Sequence, residues 1–444
     1  MVGKGVFIGA CLMAFCLADS TRAQGPDISK PVDENMQAEI IDSVTAALNE
    51  VYVFPDVAKK MEQHLRRQYK EKAYREITSI EDFAARLTED LQSISHDRHL
   101  GVQYVPDEYF ARLAADTLTD SAGAADLANA QDDNFGWREL KWLPGNIGYV
   151  KFNYFADTKD AGGTAIAAMN FLAYCDAIIF DLRENGGGQP SMIQLISSYF
   201  FDEVKHLNSF YIRKEDTIQQ FWTQEYVQGP RMSDAEIFVL TSNFTFSGAE
   251  EFTYNMKNMK RGTIIGETTG GGAHPVDRRG FANLNIGMSL PFGRAINPIS
   301  GTNWEGTGVE PDIAVPAAEA LDVAIMEAAK KLLAKTDNED RKFQLQWIIA
   351  GKEAERNPVT LTPAELQPLV GTYGPRAITL ENRELYYQRQ DRPKYRLIPM
   401  GNDTFMLDGL DSFRLQFGRD QAGAVTEIIG LYNDGQKDGS PKDK

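Results

Sequence analysis

Cysteine is scarce in this chain, which contains three among 444 residues. Cys11 and Cys16 lie in an N-terminal segment with the features of an export signal, so the remainder keeps only Cys175 and can form no intramolecular disulfide. Cys175 lies in an apolar stretch, which favours a buried core residue over a reactive thiol. No Cys/His spacing typical of a metal site occurs, and the sequence predicts neither a metal nor a cofactor.

Long apolar runs are also rare. The run at residues 6–17 follows Lys4, and Thr21 and Ala23 put small residues at the −3 and −1 positions of a cleavage site. This pattern is typical of a signal peptide over residues 1–23, and the run is too short to span a bilayer comfortably. We therefore expect export to the periplasm or the extracellular space, without membrane insertion after cleavage. An uncleaved anchor is the alternative.

Basic residues are fewer than acidic ones, with 46 Lys and Arg against 63 Asp and Glu, so the formal net charge is −17. Such a surplus of negative charge opposes binding to nucleic acid or to anionic membranes. The hydrophobic share of 43% and the charged share of 25% are ordinary for a globular protein. The oligomeric state cannot be inferred from these values.

Changes in periodicity and composition divide the chain into six regions. Apolar residues recur at helical spacing early on, and Pro55 and the Thr78-Ser79 pair break that region into about three helices. The predicted regions are a signal peptide (1–23), a helical N-terminal domain (24–110), a flexible linker (111–136), an α/β domain (137–335), a helical connector (336–360) and a small β domain (361–444).

The α/β region shows short apolar runs that alternate with loops and helices. The strand candidates are residues 147–152, 177–180, 237–240 and 263–266, and a helix is expected from Gly248 to Lys260. Such alternation predicts βαβ units and a largely parallel sheet, which is an α/β fold.

One candidate for chemistry is Ser247, which follows a predicted buried strand and opens a predicted helix. Free N–H groups and the helix dipole at this position can stabilise an oxyanion, and Gly248 permits a close approach. Ser247 and Glu250 also match a helix capping box, and the local pattern alone favours that interpretation.

Two glycine loops follow predicted strands, at residues 181–188 and 266–274. The first can turn tightly and point N–H groups inward, as an oxyanion hole requires, or it can be a simple flexible turn. No Gly-Lys-Ser/Thr follows it, so it is not a Walker phosphate loop. A glycine run such as the second is weak evidence for a site.

The chain has five histidines and one further acidic loop that bear on catalysis. His96 and His99 flank Asp97-Arg98 where the helical region ends. Two histidines near a domain junction favour a position in a cleft over a purely structural role. Glu305 and Glu310 lie in a glycine-interrupted loop and could orient a histidine or be solvated. The other histidines are His64, His206 and His274.

Taken in order, six segments resemble peptidase family S41, and above all its tricorn-like and retinoid-binding-protein-like branch. The matching segments are residues 97–100, 146–149, 181–188, 247–252, 261–272 and 306–312. The resemblance implies a ClpP/crotonase-like α/β core behind a helical domain. The C-terminal β region lies outside it and weakly resembles small lipocalin-like domains.

The resemblance also implies an activity, namely hydrolysis of a peptide or protein substrate through an acyl-enzyme. It assigns Ser247 as nucleophile, His99 as base and Glu305 as the acidic partner. The oxyanion hole would use the N–H of Gly248 and that of Gly187 or Gly186. His96 stays open as the base, because in tricorn-like sites a serine precedes the histidine, as Ser95 does here.

The sequence departs from the family pattern at two points. Residues 269–272 carry no lysine, which excludes a Ser-Lys dyad at that position, and the segment after His99 is too short for a PDZ domain. Two alternatives to a peptidase remain, a non-catalytic module that binds a hydrophobic ligand on the same fold and an esterase.

Overall fold

The computed structural model describes residues 30–110 and 121–443. The predicted signal peptide at 1–23 and the first part of the predicted linker, 111–120, lie outside these residues. Among the described residues no helix is long and apolar enough to cross a membrane. The described residues form two compact units, one from residues 30–110, 121–141 and 148–320 and the other from residues 142–147 and 321–443. The predicted domain boundaries stay predictions.

The first unit begins with helices whose ends follow from local sequence signals. Pro55 starts the second helix at the position where its missing N–H costs nothing, and the Ser79 side chain caps the third. His96 then ends the third helix in the left-handed conformation. The helices of this unit are α1 (Glu34–Val51), α2 (Pro55–Lys70), α3 (Ile80–Ser95), α4 (Ser121–Asp132), α5 (Thr158–Leu172), α6 (Pro190–Ser198) and α7 (Gly248–Asn258).

Two three-stranded sheets connect the helical region to the rest of the first unit. They are β1 (Gly101–Tyr104) with β10 (Ile286–Pro291) and β9 (Val276–Phe281), and β11 (Gly293–Ile296) with β5 (His206–Ile212) and β6 (Thr217–Trp222). The antiparallel pairing of β1 with β10, and of β10 with β9, brings the turn after α3 next to the loop that precedes β9. This pairing matters for the site, because His99 lies in that turn and His274 in that loop.

The centre of the first unit is a six-stranded sheet in the order β12-β8-β7-β4-β3-β2. Strands β4, β7, β8 and β12 run parallel, and every residue of β4 is buried, as the continuous apolar run predicts. The strands are β2 (Trp137–Leu143), β3 (Ile147–Phe152), β4 (Ala177–Asp181), β7 (Glu236–Thr241), β8 (Gly262–Gly266) and β12 (Ile313–Ala314). The predicted α/β core with a helical N-terminal region is confirmed.

The second unit contains an antiparallel sheet whose eight strands follow in chain order, each paired with the next. The predicted C-terminal β domain is therefore confirmed. Its helices are α8 (Ala320–Lys335), α9 (Glu339–Arg356) and α10 (Pro363–Leu366). Its strands are β13 (Gly371–Tyr373), β14 (Arg376–Glu381), β15 (Glu384–Arg389), β16 (Tyr395–Gly401), β17 (Thr404–Leu407), β18 (Leu410–Arg419), β19 (Val425–Tyr432) and β20 (Lys437–Pro441).

Candidate active site

Ser247 lies in a strained turn at the start of α7. Its backbone has φ 53° and ψ −119°, which is rare for a residue with a side chain. Glu250 Oε2 accepts the Ser247 N–H at 2.8 Å, and the two residues form the capping box that their spacing predicts. A helix cap alone does not require a positive φ. Strain of this kind is common where a nucleophile is presented on a sharp turn before a helix.

The first glycine loop packs directly against this turn. A Cβ on Gly187 would lie 2.7 Å from both Ser247 Cβ and the Gly248 nitrogen, so only glycine fits there. A Cβ on Gly248 would likewise lie 2.9 Å from the Gly188 nitrogen. The structure thus brings the predicted loop and Ser247 together.

Two N–H groups of that loop were predicted as donors of an oxyanion hole. The Gly186 N–H donates to the Asn153 carbonyl at 3.0 Å, and the Gly187 N–H donates to Asn185 Oδ1 at 2.9 Å. Both predicted donors are therefore already engaged. Among the described residues none accepts a hydrogen bond from the N–H of Gly188 or of Gly248, and these two groups adjoin each other.

His99 lies beside the residue that precedes Ser247. Its ring centroid is 4.6 Å from that of Phe246, and its Nδ1 is buried without a hydrogen-bond partner among the described residues. A Cβ on Gly272 would meet His99 Cε1 at 2.6 Å and Phe246 Cζ at 2.3 Å. The absence of a side chain at residue 272 thus leaves room for the imidazole. His96, the alternative base, is exposed at the end of α3.

Glu305 belongs to a cluster of ionisable groups next to His99. His274 Nδ1 lies 2.7 Å from Asp97 Oδ2 and 3.5 Å from Glu305 Oε2. Asp97 Oδ1 accepts the His99 N–H at 3.0 Å, and Glu305 Oε2 accepts the Ala273 N–H at 2.6 Å. Glu305 Oε1 is buried and has no hydrogen-bond partner among the described residues.

These contacts set the protonation states of the cluster. Burial lowers the pKa of His99 to about 4, although the Asp97 charge opposes this. Burial would also lower the pKa of His274, but the hydrogen bond and charge of Asp97 outweigh it and raise the pKa. The pKa of Asp97 is lowered, because the His274 hydrogen bond and charge overcome the effect of burial. Burial and the Asp97 charge raise the pKa of Glu305 to about 7.

Glu250 connects the Ser247 turn to the second glycine loop. Besides the Ser247 N–H, its carboxylate accepts the N–H of Gly271 at 2.6 Å and that of Gly272 at 2.8 Å. The Thr269 hydroxyl donates to it at 2.5 Å. Burial raises the pKa of Glu250 to about 7 even though all four donors favour the carboxylate. The turn and the loop are thereby fixed relative to each other.

One ligand atom each from Asp97, His99 and Glu305 lies within 4.8 Å of the other two. Imidazole and carboxylate are ligand types that a divalent transition metal accepts. His274 contacts both carboxylates and, when protonated, supplies a positive charge at the same place.

Sequence reasoning gave His274 and Asp97 no function. Both are almost fully buried, with exposed side-chain fractions of 4% and 1%. The available signal was His274 at the end of the second glycine loop, but a glycine run does not indicate where the next side chain points. Only the strand pairing of β1, β10 and β9 brings it to Asp97.

By its fold and site, the protein is an α/β protein with a strained serine turn, two adjacent glycine loops and a buried histidine–carboxylate cluster. Two family models identify the family. That of peptidase family S41 matches residues 146–315, and that of the N-terminal domain of peptidase S41 in eukaryotic IRBP matches residues 34–134. Together they span more than half the chain, and the chain belongs to peptidase family S41.

Individual relatives are more distant. The tail-specific protease of Haemophilus influenzae is 28% identical over 128 residues, which are 28% of this chain and 17% of that protein. The photosystem II D1 C-terminal processing protease is 22% identical over 39% of this chain and 43% of its own, with a TM-score of 0.33. The chain therefore matches less than half of either relative.

Other solved structures cover more of the chain at lower identity. A peptidase structure from Parabacteroides merdae covers 69% of this chain and 98% of its own at 18% identity and a TM-score of 0.47. The tricorn protease covers 65% of this chain and 35% of its own at 14% identity and a TM-score of 0.42.

Proposed function

We propose that this protein is an exported serine peptidase in which Ser247 attacks the peptide carbonyl and forms an acyl-enzyme. The observation that carries the proposal is the strained Ser247 turn packed against His99 through Phe246 and against the first glycine loop. A hydroxyl, a neutral imidazole and two unengaged N–H groups are the components of acyl transfer. Membership in family S41 and the likeness to a tail-specific protease support the same activity.

In the proposed mechanism His99 takes the proton of the Ser247 hydroxyl as the oxygen attacks the carbonyl. Its pKa of about 4 keeps the imidazole neutral at pH 7, as a proton acceptor must be. The buried Nδ1 of His99 and Glu305 Oε1 both lack partners among the described residues. A ligand atom of His99 and one of Glu305 lie within 4.8 Å of each other, a gap that one water could bridge. Glu305 would then hold the ring with its other nitrogen towards Ser247.

The proposed oxyanion hole consists of the N–H groups of Gly248 and Gly188. We propose Gly188 in place of Gly187 and Gly186, because the N–H groups of those two residues already donate to Asn185 and Asn153. Each donor aimed at the oxyanion would contribute about 3–4 kcal/mol to transition-state stability. His99 then donates its proton to the leaving amine, and water attacks the acyl-enzyme by the same route.

The experiment that tests this proposal is labelling with a fluorophosphonate probe followed by mass spectrometry. We expect the wild type to be labelled on Ser247, and Ser247→Ala to be unlabelled. Ser300→Ala is the matched control, because Ser300 is an exposed loop serine and should not affect labelling. Equal labelling of Ser247→Ala and the wild type would contradict the assignment of the nucleophile.

A second assay separates the peptidase from the other candidate functions. We expect turnover of a casein-derived peptide library to exceed that of p-nitrophenyl esters at equal enzyme concentration. Faster ester turnover without peptide cleavage would favour an esterase. Binding of a fatty acid probe without any turnover would favour a ligand-binding module.

Export is the remaining part of the proposal and depends on the sequence of residues 1–23. N-terminal sequencing of the secreted or periplasmic protein should begin at Gln24. Retention of residue 1 in the mature protein would contradict cleavage.

A further inference from the structure

We propose that His274 is a positioning residue of this site, which as an imidazolium bridges Asp97 and Glu305 and thereby keeps His99 a neutral base. The inference deepens the proposed function and rests on it where it concerns catalysis. The state of the bridge itself can be tested separately.

The geometry of the bridge is the first observation. One nitrogen of His274 reaches two carboxylates, at 2.7 Å to Asp97 and 3.5 Å to Glu305. The side chain is 4% exposed, and the edge of its ring meets the Phe54 ring at a centroid distance of 5.5 Å. A positive charge between two buried carboxylates this close to each other favours the ionised form of both. A protonated His274 supplies that charge.

The second observation is how each carboxylate is fixed to the chain. Asp97 accepts the His99 N–H and lies 3.3 Å from the Tyr52 hydroxyl, so it holds the turn that carries the base. Glu305 accepts the Ala273 N–H, adjacent to His274 itself. The bridge therefore joins the turn after α3, the second glycine loop and the Glu305 loop. Its loss would free Glu305 as well as change the local charge.

The consequence for His99 follows from the charges around it. Asp97 favours the protonated imidazole of His99, whereas His274 and Arg98 oppose it. Glu305 and Asp97 favour a charged His274, and Arg294 opposes it. Glu250 and Asp97 oppose ionisation of Glu305, which His274 favours. Removal of the imidazolium leaves His99 facing the Asp97 charge, and the proton affinity of His99 then rises.

The catalytic arm of the test measures the rate of fluorophosphonate labelling against pH. In His274→Gln, we expect the rise of rate with pH to move upward by about one pH unit, because a charge within a few ångströms shifts a pKa by about that amount. A merely structural residue would lower the rate equally at every pH without moving the profile. An unmoved profile, or one moved to lower pH, would overturn the inference.

A matched control comes from another histidine–aspartate pair in the same unit. His64 Nε2 lies 3.4 Å from Asp90 Oδ1 in the N-terminal helices. This pair is separate from the cluster of Asp97, His99, His274 and Glu305. His64→Gln should leave the pH profile in place. A shift of equal size in this control would show that the effect is not specific to the bridge and would overturn the inference.

The second arm needs no catalytic activity, and it reads the protonation state of His274 directly. Ser247→Ala protein with ¹⁵N-labelled histidines should show five imidazoles, and His274→Gln in the same background identifies the signal of His274. We expect both ring nitrogens of His274 to be protonated at pH 7. A neutral His274 at pH 7 overturns the inference even if Ser247 proves to be the nucleophile. Failure of labelling with a protonated His274 would instead contradict the proposed function alone.

Discussion

The interior around Ser247 and the interior of the eight-stranded sheet are built on opposite principles. Buried carboxylates and imidazoles concentrate near Ser247, at Asp97, Glu250, Glu251 and His274. The core of the eight-stranded sheet is composed of apolar and aromatic side chains, such as Phe405, Leu415 and Ile428.

Buried charge does occur in the second unit, but in a different setting. Arg376 contacts Asp438 at 2.5 Å and the Ser440 hydroxyl at 2.9 Å, both on β20. Arg414 donates to the Trp347 carbonyl. Arg376 thus bonds to one neighbouring strand and Arg414 to one helix, whereas the Glu250 carboxylate joins the Ser247 turn to the second glycine loop. The region around Ser247 keeps a defined arrangement of buried charges at a cost in stability, whereas the eight-stranded sheet is stabilised mainly by apolar packing.

The largest expected effect concerns the pH dependence of stability around Ser247. Burial raises the pKa of Glu251 to about 8, so the folded protein holds a proton that the unfolded chain, with a pKa near 4.5, has released. The stabilisation is complete below pH 4.5 and is lost as the pH rises to 8, because the folded state binds more protons across this range. Between pH 5 and 8 this amounts to roughly 4 kcal/mol.

Urea unfolding of the wild type and of Glu251→Gln at pH 5 and pH 8 checks this effect. The free energy of unfolding should fall with pH in both proteins, because Glu250 and Glu305 also have a raised pKa, but the fall should be roughly 4 kcal/mol smaller in the variant. An equal fall in both proteins would show that Glu251 is ionised in the folded state.

The next effect concerns apolar packing in the second unit. Leu415 is fully buried in the core of the eight-stranded sheet. Leu415→Ala should cost about 3 kcal/mol, because the removed methyl groups leave a cavity. Hydrogen-exchange mass spectrometry should show lost protection in strands β17 to β19. Ser247, His99 and Glu305 all lie in the first unit, so the rate of Ser247 labelling at low temperature should stay at the wild-type value. A large fall would show that the site depends on the second unit.

A smaller effect comes from the space beside His99. The added methyl of Gly272→Ala would press on His99 and Phe246, so the imidazole must move. A displacement of about 1 Å lowers catalysis by about 100-fold, and we expect that loss in the labelling rate. Gly163→Ala is the control, because a Cβ there meets nothing within 4 Å in α5 and should stabilise the helix by about 0.5–1 kcal/mol. Unchanged labelling of Gly272→Ala would contradict His99 as the base.

The smallest effect is expected on the surface of the second unit. Arg396 pairs with Asp408 at 2.9 Å and Glu384 at 3.1 Å, and all three side chains are well exposed. Arg396→Ala should cost less than about 1 kcal/mol, and added salt should reduce the difference further. A larger loss of unfolding free energy than that of Leu415→Ala would contradict the contrast between the two regions, because charge would then stabilise this unit more than packing does.

The local signals in the sequence predicted much of the first unit. Pro55 and Ser79 mark the starts of α2 and α3, and the apolar runs at 147–152 and 177–180 fall within β3 and β4. These features depend on neighbouring residues, for which propensity and capping are sufficient. The helical start at Gly248 was predictable for the same reason.

The details of the site were less predictable, because they depend on long-range pairing and on backbone direction. Gly186, Gly187 and Gly188 are the same residue type, and only the backbone conformation decides which N–H is unengaged. His274 reaches Asp97 through contacts 177 residues apart, which no local pattern encodes. The positive φ of Ser247 likewise arises from the packing of two loops.

The wide spacing of the site along the chain has a consequence for biosynthesis. His99 leaves the ribosome early and Ser247 later, and Glu305 and its loop emerge close to the end of the first unit. A nascent chain that already presents the serine still lacks Glu305, the proposed acidic partner of His99. If Ser247 is the nucleophile, the polypeptide would stay inert during translation and acquire its reactivity only when the whole first unit has been synthesised.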